Sequence, residues 1–223
     1  MNATVKLPPV RAVLFDLDGT LIDSAPDLAG AANALRAERG LPPLPLSHLR
    51  PWVGAGARGM LGAGLDIHPT HTEFEALKER FLALYAGRLL QETQAFDGVS
   101  RLLEQLQARG LAWGIVTNKA ERFTLPIHAG MPLLQGAGAV IGGDTTPQAK
   151  PHPAPLLEAA RRMGLEPQEC AYVGDDLRDI QAARAAGMPA IAARWGYLGA
   201  SPVSEWGADA VIDHPEELIS LLG

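Results

Sequence analysis

The sequence predicts an α/β fold: a parallel sheet with helices on both faces, and an all-helical insert after its first strand. Three observations predict it. Beyond about residue 93, short apolar runs alternate with amphipathic stretches, the pattern of strand–helix–strand units. From residue 22 to about 92 no run reads as a strand. The apolar run Val13-Leu14-Phe15 stops abruptly in two carboxylates, Asp16 and Asp18, with Gly19 and Thr20 directly after. Such a run fits a buried strand, and a glycine behind it fits a tight exit turn. The expected division is residues 1–22 with 93–223 as a core, and 23–92 as the insert.

The insert opens at 26–39, an Ala- and Leu-rich helix with Pro26 in its first turn and Gly40 as its stop. LPPLPL at 41–46 reads as a linker. Residues 47–65 read as two short helical pieces broken by Gly54-Ala55-Gly56. Residues 71–90 read as one long helix with Phe74, Leu77, Phe81, Leu84 and Tyr85 on a stripe.

In the core, residues 99–109 read as a helix ended by Gly110, and 111–118 as a strand. Residues 119–130 read as helix, weakened by Pro126. A short strand follows within 137–144, a helix at 154–164, a strand at 170–175 and a helix at 177–187. Residues 188–194 and 208–213 read as strands, and PEELISLL as the last helix.

Composition narrows the function classes. A chain of 223 residues suffices for one sizeable core, or one core plus a smaller insert. A net charge of -6 gives no reason to expect nucleic acid or an anionic membrane as partner. The histidines lack zinc-ligand spacing. The single cysteine, Cys170, opens an apolar run and reads as a small buried hydrophobe, with no partner for an intramolecular disulfide. The opening MNATVKLPPV lacks the apolar stretch of a secretory signal, and no run approaches the roughly 18 apolar residues of a membrane span. The expectation is a cytoplasmic monomer or homodimer.

Ligands of open parallel sheets bind beyond the carboxyl ends of the strands. There the first strand ends at Asp16, the strand from Leu111 at Thr117-Asn118-Lys119, and the strand from Cys170 at Gly174-Asp175-Asp176. Asp179 lies one helical turn past Asp175, and the loop QAKPHP offers Lys150. If these strands are neighbours, carboxylates, a hydroxyl and an ammonium share one crevice. Acids that must be desolvated need a compensating charge, and a divalent cation with oxygen ligands supplies it.

That inventory suits phosphoryl transfer, which depends on positioning and charge stabilisation. Asp16 is the expected nucleophile, and Asp18 the acid that protonates the leaving alcohol and later activates water. Mg²⁺ is expected on Asp16, the main-chain carbonyl of Asp18, and Asp175. Thr117, Asn118 and Lys150 are expected to bind the phosphoryl group, with Lys150 offsetting charge on the nucleophile. Asp176 and Asp179 are expected around this set, orienting a metal-bound water and Lys150, although Asp176 equally fits a helix N-cap.

FDLDGTLIDS, VTNK, KPHP and VGDDLRD, in that order, resemble the four signature motifs of the haloacid dehalogenase superfamily. The resemblance spans nearly the whole chain and implies a Rossmann-like core with a helical cap inserted after the first strand. GDTTPQAKPHP and the cap type look most like the phosphoglycolate phosphatase branch. The stretches GARGM, LAWGIVTNK, VGDDLRDI and EWGADAVIDHP are similar to N-acetylmuramic acid 6-phosphate phosphatases. The Gly- and Pro-rich segment between Lys119 and Val140 departs from the family's usual helix.

Asp18 argues against a dehalogenase, which lacks that acid. A mutase of the β-phosphoglucomutase kind shares the acids, and a non-catalytic binding module should have lost at least one of them or Lys150. Residues near Ile22–Pro26 and Gln91–Gly98 are expected to act as hinges. Both favoured substrates carry a carboxylate, and Arg58, set in Gly54-Ala55-Gly56-Ala57-Arg58-Gly59, is expected to capture it.

Overall fold

A computed structural model of the chain describes residues 6–222. Half of the opening MNATVKLPPV, and with it part of the expectation drawn there, lies outside the described residues. The chain divides into two compact units: Asp23–Gln94, and the segments before and after it.

β1 (Ala12–Phe15) is the apolar run, buried at all four positions. Two-residue β2 (Ile22–Asp23) precedes α1 (Ala25–Glu38). Pro26 sits in the first turn of α1, where a missing N–H costs nothing, and Gly40 follows its end at φ 68°. Next come α2 (Leu46–Leu49), a 3-10 turn at Arg50–Ala55, and α3 (Gly56–Leu65). α4 (Phe74–Ala86) buries Phe74, Leu77, Phe81 and Tyr85. It is shorter than the expected 71–90. At its start the main chain of Glu73 bonds the His71 ring, and at its end Arg88 N–H turns back to Tyr85 at Gly87.

β3 (Gln94–Ala95) pairs with β2, and α5 (Val99–Ala108) follows. Then strands and helices alternate: β4 (Ala112–Val116), α6 (Glu121–Gly130), β5 (Val140–Ile141), α7 (Ala154–Met163), β6 (Cys170–Gly174), α8 (Leu177–Ala185) and β7 (Ala190–Ala193). β8 (Ala210–Ile212) and α9 (Leu218–Leu221) close the chain.

α6 forms despite Pro126. Its first N–H, from Glu121, finds the Asp144 carboxylate at 2.7 Å, and Thr124 Oγ1 donates to the carbonyl of Lys119 at 2.9 Å. Burial of Phe123 and Ile127 then offsets the one helical hydrogen bond that proline removes.

The six-stranded sheet runs β5-β4-β1-β6-β7-β8, every pair parallel. β1 lies between β4 and β6, and Phe15 is opposite both Ile115 and Val173. That register brings Asp16, Thr117 and Asp175 to one end of three adjacent strands. A core of Leu14, Val116, Tyr172, Ile180 and Ala192 lies beneath them. Cys170 is fully buried, and burial pushes its thiol up to about 11. Among the described residues no helix is long and apolar enough to cross a membrane.

Candidate active site

Asp16 leaves β1 with its N–H still on the carbonyl of Val173, at 2.9 Å. The chain then turns within a few residues: Leu21 and Ile22 both donate to the carbonyl of Leu17 at 3.0 Å, and Gly19 takes φ 90°. Only glycine suits that backbone and that space, because a Cβ on Gly19 would overlap the Asp175 carboxylate. Gly196 is packed as tightly against Asp175 and the Gly19 carbonyl, and Gly174 against Asp179.

The turn also aims Thr20 inward. Its hydroxyl donates to Asp175 Oδ1 at 2.8 Å, and the Tyr197 N–H donates to Oδ2 at 2.7 Å. Trp195 Nε1 in turn holds the carbonyl of Thr20 at 3.0 Å. Asp175 is therefore fixed before anything binds.

Asp16, Asp175 and Asp179 bring carboxylate oxygens within 4.8 Å of one another. Burial, reinforced by the charges of Asp16 and Asp179, pushes the Asp175 carboxyl far above the usual carboxylate range. Burial likewise raises Asp179, to about 6, against the opposing pull of Lys150. The Lys150 ammonium lies 3.0 Å from Asp16 Oδ1 and 2.7 Å from Asp179 Oδ1. It also donates to the Val116 carbonyl at 3.0 Å and the Tyr172 hydroxyl at 2.8 Å. Burial alone would depress this ammonium, but the charges of Asp16 and Asp179 outweigh it and hold it above its ordinary value. Four oxygens thus surround three N–H bonds, so Lys150 acts here chiefly on Asp16 and Asp179.

The other expected residues fall into distinct places. Thr117 is buried, and its hydroxyl oxygen accepts from Lys119 N–H at 3.2 Å. The Asn118 side chain bonds the main chain of Lys150 in both directions, each at 2.9 Å, so its amide secures the Lys150 loop instead of projecting toward a ligand. Asp18 points its carboxylate at Lys119, whose Nζ is 2.8 Å from both oxygens. Asp176 is the N-cap of α8: it accepts from the Arg178 N–H and pairs with that guanidinium. Of the two acids expected to orient Lys150, only Asp179 touches it. Arg58 belongs to the other unit, in the first turn of α3, with no ion pair among the described residues.

Three carboxylates against one ammonium leave a buried surplus of negative charge. One Asp16 oxygen, though close to Lys150, accepts no hydrogen bond. Hard oxygen donors in this number fit Mg²⁺. The carboxylates that the fold gathers are Asp16, Asp175 and Asp179. The Asp18 side chain is held by Lys119 and is not among them.

Sequence reasoning gave no role to Thr20, Lys119, Tyr172, Trp195, Gly196 or Tyr197. Tyr172 carried one signal: a tyrosine in a wholly apolar strand needs a partner for its hydroxyl. It donates to the Val116 carbonyl at 2.7 Å.

A family model described as haloacid dehalogenase-like hydrolase matches residues 13–193. A phosphoglycolate phosphatase of Xanthomonas campestris pv. campestris (strain 8004) is 49% identical over 93% of this chain and 94% of its own length. An N-acetylmuramic acid 6-phosphate phosphatase of Pseudomonas aeruginosa is 39% identical over 96% of this chain and 95% of its own. The crystal structure of a predicted phosphoglycolate phosphatase from Haemophilus somnus 129PT superposes with a TM-score of 0.84 at 29% identity, covering 96% of this chain and 98% of that one.

Proposed function

We propose that this chain, which belongs to the haloacid dehalogenase-like hydrolase family, is a Mg²⁺-dependent phosphatase of a small phosphomonoester, 2-phosphoglycolate or N-acetylmuramic acid 6-phosphate. The observation that carries this reading is the Asp16–Lys150–Asp179 arrangement beside Asp175 at the carboxyl end of the sheet. The relatives' names point the same way, and they divide between the two substrates.

In this mechanism an Asp16 oxygen attacks phosphorus, and the bond from phosphorus to the ester oxygen breaks. Asp18 gives its proton to the departing alkoxide, so the alcohol leaves neutral. Asp18 then takes a proton from water as that water attacks the phosphorus of the aspartyl phosphate. The acyl-phosphate P–O bond breaks, inorganic phosphate leaves, and Asp16 is restored. Lys150 stabilises the Asp16 carboxylate and steadies its position between attacks. Thr117 offers the phosphoryl group a hydroxyl, and Asn118 keeps Lys150 in register. Asp176 shapes the start of α8, which carries Asp179. Mg²⁺, held by Asp16, Asp175 and the Asp18 carbonyl with Asp179 close by, would offset the charge of the phosphoryl oxygens. Residues Asp23–Gln94 take the part of a substrate-selecting cap, with Arg58 as its carboxylate-reading residue.

The test is phosphate release from p-nitrophenyl phosphate, 2-phosphoglycolate and N-acetylmuramic acid 6-phosphate. Turnover is expected with Mg²⁺, is lost in EDTA, and returns when Mg²⁺ is added in excess. Turnover that survives EDTA, or none on any ester, overturns the reading.

A further inference from the structure

Lys119 is unusual for a lysine. Its side chain is only 8% exposed, although lysines are rarely buried. Its main chain is pinned as well: the N–H donates to Thr117 Oγ1 at 3.2 Å, and the carbonyl accepts from Gly143 N–H at 2.8 Å and Thr124 Oγ1 at 2.9 Å. A desolvated ammonium held this firmly costs stability unless it meets negative charge. It meets Asp18, at 2.8 Å from both oxygens.

Asp18 is also the group that meets the ester oxygen in the mechanism above. Lys119 therefore stands one carboxylate away from the leaving group, and the two candidate substrates use that space differently. In 2-phosphoglycolate the carboxylate is attached to the very carbon that bears the ester oxygen. In the amino-sugar 6-phosphate the carboxylate hangs from the lactyl ether, with much of the sugar ring between it and the ester.

We propose that Lys119 reads a carboxylate carried on the ester carbon, and that it biases the enzyme toward short 2-phospho acids over sugar 6-phosphates. This rests on the phosphatase reading and sharpens it. A substrate carboxylate next to the ester oxygen forms a charge-assisted contact with the ammonium that Asp18 already orients. A plain alkyl phosphate gains nothing there. The competing role, neutralising Asp18 alone, predicts no dependence on the substrate's carboxylate.

Ethyl phosphate has the skeleton of 2-phosphoglycolate without the carboxylate, so the two form a matched pair. Their kcat/KM values are compared in the wild type, Lys119→Met and Lys119→Gln, with N-acetylmuramic acid 6-phosphate as third substrate. Loosening Asp18 slows both members of the pair, and their ratio cancels that loss. The wild type should favour 2-phosphoglycolate, and either variant should cut the ratio about 10- to 100-fold, mainly through KM for 2-phosphoglycolate. The second variant keeps the test open should the first fail to fold. An unchanged ratio in a folded variant overturns the proposal, as does a wild type that prefers the amino-sugar ester or is indifferent to the carboxylate. If the wild type releases phosphate from none of these esters or from p-nitrophenyl phosphate, the phosphatase reading itself falls and takes this inference with it.

Discussion

Two regions of this molecule bury acids, and they do so in opposite ways. In the Asp23–Gln94 unit, Asp27 on α1 is fully buried. Its Oδ2 accepts from the Glu92 and Thr93 N–H groups at 3.0 and 2.9 Å and from Thr93 Oγ1 at 2.8 Å. The Arg88 guanidinium lies 3.8 Å from Oδ1. Three donors meet on Oδ2, while Oδ1 accepts no hydrogen bond and has only the guanidinium charge nearby, and the result is a staple joining residues 92–93 to α1. At the carboxyl end of the sheet, three carboxylates crowd together with a single ammonium, and Asp175 is driven toward its neutral form. Burial alone therefore does not mark a site. Several acids crowded around one cation do, because a ligand of opposite charge can complete them.

The largest expected effect breaks or upholds that contrast. Asp16→Asn should lower phosphate release at least about 1,000-fold, because an amide neither attacks phosphorus nor holds a cation as a carboxylate does. Its melting temperature in EDTA should not fall, since one of three repelling acids is gone. Asp27→Asn should do the reverse: about 2–4 kcal/mol of stability is lost with the buried charge and its donors mismatched. Turnover per folded molecule should stay within about threefold of the wild type. Phosphate release and thermal unfolding, measured on both variants, decide it. If both lose stability alike, or both lose turnover alike, the distinction between staple and site is wrong.

The same contrast explains what the sequence disclosed. The strands and the acids at their ends were legible because apolar runs that stop in Asp, Thr or Gly are local signals. So was Asp179, one helical turn past Asp175. Asp27 was not legible as a buried acid, because its donors come from residues 92–93, far along the chain. Lys119 and Thr20 escaped a role for the same reason: which acid each serves depends on the order in which β4, β1 and β6 lie side by side. α4 was overdrawn because its hydrophobic period continues on paper across Gly87 while its backbone does not. The N-terminal anchor of α6, Asp144, lies 23 residues from Glu121, beyond any local pattern.

A smaller effect sharpens the contrast through pH. The folded chain holds the Asp175 proton more tightly than the unfolded chain does, so in EDTA this residue makes stability fall as pH rises above the ordinary carboxylate range near ~4. Asp179, at about 6, adds to the same slope up to that pH. Asparagine cannot ionise. The stability of Asp175→Asn over the wild type should therefore widen from pH 5 to pH 7.5. Mg²⁺ at pH 7.5 should raise the wild-type melting temperature and close the gap from the other side. A gap that stays constant with pH, measured by thermal unfolding in EDTA, would mean that Asp175 is already compensated by Thr20 and Tyr197.

The smallest effect returns to the Asp23–Gln94 unit and asks whether it, too, holds a charge in need of a ligand. Arg58 lies in the first turn of α3, which has no acidic residue there. A cation at a helix N-terminus opposes the helix dipole, at a cost of about 0.3–1 kcal/mol, so helix stability does not account for it. Gly56, at φ 60°, begins that turn with a backbone that leaves open space where a side chain would stand. If Arg58 reads the substrate's carboxylate, Arg58→Ala should raise KM for 2-phosphoglycolate about 10-fold, with kcat nearly kept. KM for p-nitrophenyl phosphate, which has no carboxylate, should move far less. The melting temperature should hold or rise slightly, as the dipole argument requires. Equal KM changes on both esters would make Arg58 an ordinary surface cation, and Asp23–Gln94 would then contain one buried acid beside one cation and no reader of charge.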